Sequence, residues 1–389
     1  MTVGHSGFRN DATRVRFIAN MLFRVISSIF SEIDYSSIAF ISWIAYIFLT
    51  LSTFASACAR KGPIHNEKSV PLRWLFIVCM VLLSVFAQFT GDYVGYKNIV
   101  NSVFSQIRFI AHFEDVYVWI IHAVTGNYEL FRLVIALLTY IPLYYIFAKA
   151  RIFDPRIIFF FCVWDLWNAL EGRQQIAIYL AMLGLIMLLL KEKKILGLVL
   201  IAVSFFFHKS SMMFPLMLVA LAFSLNRRNV LICLAFLPVA VVLENTLLKH
   251  ILASNAQFAG DAYLTMEAFG RTTAMSILQN GRTLLYYMVA IFIIVKMMKA
   301  KNVHPFYRAM SKILFGAVYI STVLLFLDIE QNTLFLRSIR YWRIPMLCCL
   351  PVIMEKKFYK NSYLIICTFG IFFFALLYTL VMMRYGTVK

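Results

Sequence analysis

Residues 156–170, 174–190 and 195–207 are successive apolar stretches, and none is long enough to cross a bilayer comfortably. At 1.5 Å per residue the third rises only about 20 Å, against roughly 30 Å of hydrocarbon. The first two meet at Glu171-Gly172-Arg173, and the third ends at His208-Lys209. Ionisable residues at such breaks are expensive in lipid and mark functional sites by default. Irregular backbone at membrane depth is tolerated only where protein or a water-filled cavity surrounds it. The two breaks therefore predict the floor of a cavity open to one side of a membrane. A new helix begins at each, and its N-terminus offers free N–H groups and positive partial charge to an anion. Ser210 and Ser211 also suit the capping of the second.

The rest of the chain fits this setting. Of 389 residues, 62% are hydrophobic and only 14% charged, a balance that predicts an all-α polytopic membrane protein. About twelve spans are expected, at 36–58, 71–90, 129–148, 156–170, 174–190, 195–207, 210–225, 229–244, 284–300, 305–327, 341–354 and 361–383. Residues 1–35 carry apolar residues at helical spacing with Arg14, Arg16 and Arg24 between them, which reads as an interfacial amphipathic segment. Residues 36–389 then form one transmembrane helical domain, with larger outer loops at 91–128 and 245–283. The seven cysteines lie in or beside apolar segments and read as small buried hydrophobes.

The formal charge of +19 does not imply nucleic acid. Six short connections, 59–73, 149–156, 191–194, 226–229, 296–312 and 355–360, hold 20 of the 37 Lys and Arg with only Glu67, Asp154, Glu192 and Glu355. That asymmetry is the positive-inside pattern and turns these loops toward the cytoplasm.

Four clusters then face outward. The first is Gly91-Asp92-Tyr93 with Tyr96, and the second is Glu114-Asp115 before Tyr117. Glu171 and Arg173 with His208 and Lys209 make the third; Arg337, Arg340 and Arg343 with Tyr341 make the fourth, at near-helical spacing. Arg282 closes the long outer loop and joins them. Each has a plainer reading, as belt tyrosines, helix caps, an internal ion pair or a membrane-edge anchor. Together they describe a cavity with several guanidiniums, a histidine and a few carboxylates. Guanidinium forks match phosphate oxygens, and a lipid pyrophosphate arriving from the bilayer fits. No residue set has metal-ligand spacing, and no phosphate loop or dinucleotide fingerprint appears.

Gly91-Asp92-Tyr93 with Tyr96, Glu114 before Tyr117, Arg173-Gln174-Gln175-Ile176-Ala177 and Phe207-His208-Lys209-Ser210-Ser211 stand in the order seen in EpsG/Wzy-type polysaccharide polymerases. The chain resembles that family over about residues 70–225, where the usual forms are G-T-D-Y-x-x-Y, E-x-x-Y, I-R-Q-x-I-A and F-H-x-S-A; the Arg337/Arg340/Tyr341 segment is similar in placement. It departs at the missing Thr, at Gly172, at Ser211 and at Gln88, where an Arg is common. The resemblance implies joining of undecaprenyl-pyrophosphate-linked repeat units at the outer leaflet of a bacterial inner membrane, with a fold of GT-C type and no cofactor or metal. His208, Asp92 and Glu114 are then the candidate bases. Arg173, Arg282, Arg337, Arg340 and Lys209 face the pyrophosphate, and Tyr93, Tyr96, Tyr341 and Glu171 the glycan. The bilayer, a chain-length regulator and a flippase are the expected partners. An O-antigen ligase-like transferase or a lipid-linked glycan flippase is the alternative.

Overall fold

In lipid a backbone has no water to satisfy its N–H and C=O groups, so open spanning segments must be helical. The computed structural model describes residues 38–60, 62, 70–86, 128–166, 173–208, 211, 213–243, 246, 273–326, 333–354 and 357–386. These residues are helical with short connections and contain no strand. The helices are α1 (Ile38–Ala59), α2 (Val70–Phe86), α3 (Tyr128–Lys149), α4 (Pro155–Phe161), α5 (Arg173–Leu189), α6 (Lys194–Phe207) and α7 (Met213–Val219). They continue as α8 (Arg227–Leu243), α9 (Thr273–Lys299), α10 (Pro305–Leu325), α11 (Thr333–Ser338), α12 (Arg343–Ile353) and α13 (Ser362–Gly386). A π turn, Cys162–Leu166, extends α4, and a 3₁₀ turn, Ile339–Trp342, joins α11 to α12.

Every span drawn from the sequence overlaps a helix. Among the described residues four segments are long and apolar enough to cross a membrane: Arg132–Lys149, Ile277–Lys299, Pro305–Leu325 and Ser362–Val381. The short helices have a different solution. In α4, α5 and α12 nearly every described residue is buried, on all faces, as expected of helices enclosed by others. Their neighbours carry the lipid-facing surface, with Leu137, Ile195, Leu198, Leu231, Phe236 and Val242 exposed.

The basic connections collect at one end of the bundle. Arg156 donates from Nη1 to the Gly62 carbonyl at 2.8 Å, and the Arg73 guanidinium lies over the Phe153 ring. Lys149 and Glu192 form an ion pair, and the Tyr307 hydroxyl reaches the Ala150 carbonyl. Lys312 donates to the Leu221 carbonyl, and Phe358 packs its ring against Phe54 and Phe159. Six loops of one charge sign at one end are what positive-inside insertion requires. Cysteines placed at 191–194 and 356–360, after removal of the native ones, are expected to be shielded from an impermeant thiol reagent in intact cells. Cysteines at 255–275 are expected to be labelled, and labelling of the basic loops from outside would invert the topology.

Two boundaries differ from the sequence reading. The outer loop expected at 245–283 ends earlier, because α9 starts at Thr273, so Arg282 lies within a helix. Gln279, Asn280 and Arg282 make this first part of α9 polar, yet Gly281 lets the Phe374 ring of α13 pack close. The stretch between the spans expected at 305–327 and 341–354 is likewise helical from Thr333. The N-terminal segment 1–35 and nearly all of the outer loop expected at 91–128 lie outside the described residues.

Candidate functional site

The last turn of the α4 rod is where the chain departs from regular helix. A π turn widens the ring of backbone hydrogen bonds and frees carbonyls for side-chain donors. Tyr46 of α1 donates to the Cys162 carbonyl at 3.0 Å, and Tyr286 of α9 donates to the Trp164 carbonyl at 2.7 Å. Trp164 donates through Nε1 to the Thr368 hydroxyl of α13 at 3.0 Å. Three helices thus hold the turn in place, and the turn carries Asp165.

Asp165 is fully buried. A carboxylate there is tolerable only if paired and hydrogen-bonded. Gln175 donates through Nε2 to both carboxylate oxygens, at 2.9 and 3.0 Å, and the Tyr179 hydroxyl donates at 2.7 Å. The two donors sit four residues apart on α5, on one face. Arg343 completes the set with an ion pair at 3.1 Å, its guanidinium 5.3 Å from the centre of the Tyr286 ring. Asp165 is ten residues beyond Pro155, and Arg343 ten before Ile353. At 1.5 Å per residue both stand about 15 Å from the basic end, near mid-membrane.

The turn preceding Arg343 brings further cations. Gln174 donates through Nε2 to the Arg337 carbonyl at 3.2 Å, fixing the start of α5 against this segment. Trp342 donates through Nε1 to Ser321 of α10 at 2.9 Å, and Ser338 bonds the same hydroxyl. Arg340 is near enough to act on Asp165, and Arg282 and Arg340 both act on Tyr286. Arg282 also lies 6.0 Å from the Tyr378 ring centre. Arg340 and Arg343 therefore lie about one buried carboxylate, and Arg282 joins them about the tyrosine.

α5 and α6 pack as an antiparallel hairpin in which Gly184 and Gly197 face each other. A Cβ on Gly184 would clash with the Gly197 carbonyl, and one on Gly197 would meet the Gly184 carbonyl at 2.8 Å. Arg173 is eleven residues from Gly184, and His208 eleven from Gly197. The backbones of Arg173 and His208 thus lie at the same level, about 16 Å from the glycine contact. His208 is half-buried, and its carbonyl accepts from the Ser211 N–H at 3.0 Å.

A model of the EpsG family matches residues 73–388, from α2 to the end of α13. The chain belongs to the EpsG family. This is a family of Wzy-type polysaccharide polymerases. No curated protein and no solved structure matches the chain.

Within this EpsG-family chain the clusters centred on Arg173 and on Arg337 are neighbours, through Gln174 and Gln175 on one side and Arg337 and Arg343 on the other. Arg282 and Arg340 join them, while Tyr341 is fully buried beside Trp342. Asp92, Tyr93, Tyr96, Glu114, Glu171 and Lys209, with the side chain of Arg173, lie outside the described residues. Among the described residues no three His, Cys, Asp or Glu side chains gather as a metal would need. The sequence alone does not single out Asp165, Tyr179 or Tyr286, gives Gln175 only within the motif that follows Arg173, and takes Arg343 only as part of an arginine stripe. A lone carboxylate inside an apolar run was the available signal. Arg132, also buried and bonded to the Ser84 carbonyl of α2, carries the same mark.

Proposed function

We propose that this EpsG-family protein joins undecaprenyl-pyrophosphate-linked oligosaccharide repeat units into a surface polysaccharide at the outer leaflet of a bacterial inner membrane. The observation that carries the reading is the gathering of Arg340 and Arg343 around one buried carboxylate, with Arg282 beside the neighbouring Tyr286, in a membrane protein whose basic loops lie together at one end. In the reaction, the bond between the anomeric carbon of the growing glycan and its pyrophosphate breaks. A new bond forms from that carbon to a hydroxyl oxygen of the incoming unit. The hydroxyl proton passes to a base, His208 or Asp92 ahead of Glu114, and undecaprenyl pyrophosphate leaves. Charge grows on the leaving phosphate, and fixed guanidiniums in a dry site stabilise it without reorganising. Arg173, Arg282, Arg337, Arg340 and Lys209 take that role, and Tyr93, Tyr96 and Glu171 contact the glycan, while Tyr341, fully buried beside Trp342, packs the turn that carries Arg340. The site faces the periplasm, in a single domain of GT-C type. A flippase supplies the units and a chain-length regulator acts on the product.

Deletion of the gene tests this. Loss of polymer with single repeat units still displayed is the expected surface-glycan pattern. Loss of all surface glycan, with polymer retained on the carrier lipid, would make the protein a ligase. Lipid-linked units held on the inner leaflet would make it a flippase. His208→Ala is expected to abolish polymer at near-normal protein level. His208→Gln, which keeps hydrogen bonding without the basicity, is expected to fail as well. Full polymer from His208→Gln would move the base to Asp92 or Glu114.

A further inference from the structure

We infer that Asp165 is a positioning residue that holds the two cationic segments of the site, the start of α5 and the turn before α12, in one frame. The inference rests on the polymerase reading above. Its ground is that one carboxylate is bonded to both segments. On the first side Gln175 and Tyr179 bind it, and Gln175 is two residues from Arg173. On the second side Arg343 binds it, three residues after Arg340. The carboxylate's own backbone is fixed by the tyrosines and the threonine that clamp the π turn. Asp165 is fully buried and ion-paired, so it neither meets substrate nor exchanges a proton with it. What it sets is separation. Two guanidiniums gripping one pyrophosphate need their spacing fixed within a fraction of an ångström, and supporting side chains supply that. Gln174, bonded to the Arg337 carbonyl, is a second strut between the same segments. Gln174 is neutral and reaches a backbone atom, whereas the link through Asp165 is directional and charge-assisted.

The test uses the full-length protein in detergent, with undecaprenyl pyrophosphate as the probe and its thermal stabilisation as the readout. The double variant Asp165→Asn/Arg343→Gln removes both charges together, a change a buried pair often tolerates. It is expected to melt close to wild type, to lose affinity for the probe by roughly tenfold or more, the loss of about one charge-assisted hydrogen bond, and to make no polymer in cells. Tyr179→Phe removes one donor and no charge; it is expected to fold normally and to lose affinity by a few fold, which keeps the test open should the double variant not fold. Wild-type affinity in Tyr179→Phe, or in a well-folded double variant, overturns the inference while leaving the polymerase reading intact. A wild-type protein that the probe does not stabilise overturns the lipid-pyrophosphate reading itself, and the inference with it.

Discussion

Arg343→Met, with Asp165 left in place, is expected to be the most destabilising single change in the described part of the protein. Methionine fills much of the arginine's volume, so packing is not the main loss. Asp165 instead loses the ion pair with Arg343 and keeps, among the described residues, the hydrogen bonds from the Gln175 amide and the Tyr179 hydroxyl and the more distant Arg340, in a site with no exposed surface. Breaking one half of a buried pair costs about 3–5 kcal/mol, whereas replacing both halves with apolar groups is often neutral. The single variant should accumulate poorly and melt well below wild type in detergent. Asp165→Leu/Arg343→Met should recover most of the lost stability. A single variant that melts like wild type would show that Asp165 carries no charge in the native state, and the ion-pair description would fall.

Arg173→Ala is expected to make essentially no polymer, and Arg173→Lys little. Arg173 opens α5, on a level with His208 across the glycine-paired hairpin. There a guanidinium and the helix N-terminus can hold the same phosphate. Lysine preserves the charge but loses the planar two-donor geometry, so a charge-only role predicts a mild defect and a bidentate role a severe one. The competing role is neutralisation of Glu171. Under it, Glu171→Gln/Arg173→Gln removes both charges and restores a working protein; under phosphate binding, the double variant is stable and inactive. Near-normal polymer from that variant would end the assignment of Arg173 to the pyrophosphate.

What the sequence conveyed follows the range of the physics involved. The basic loops were legible because each is a run of adjacent residues, and insertion reads adjacent residues. Long apolar helices such as α3, α10 and α13 were legible for the same reason. The first turns of α9 were not: Gln279, Asn280 and Arg282 look like loop until Phe374, nearly a hundred positions later, is known to close over Gly281. The arginine-bearing segment at 333–342 shows its near-helical spacing but not its contacts, which are with α5 and α10. Asp165 was the hardest case. Its partners stand 10, 14 and 178 positions away, so neither periodicity nor a local motif could join them. That Arg173, Arg282, Arg337 and Arg340 belong to one group could be proposed from charge alone; that a single carboxylate ties the segment of Arg173 to that of Arg337 and Arg340 required the fold.

The depth of the Asp165–Arg343 pair has an electrical consequence. A charge carried across a membrane exchanges about 2.3 kcal/mol with every 100 mV of potential, so one fixed near the middle feels roughly half of that. Two opposite charges at equal depth feel equal and opposite forces, and their sum is close to zero. The native pair is therefore indifferent to whether the cell is energised. A variant that keeps only one of the two charges would acquire a stability that drifts by about 1 kcal/mol per 100 mV, rising or falling with respiration according to which charge remains.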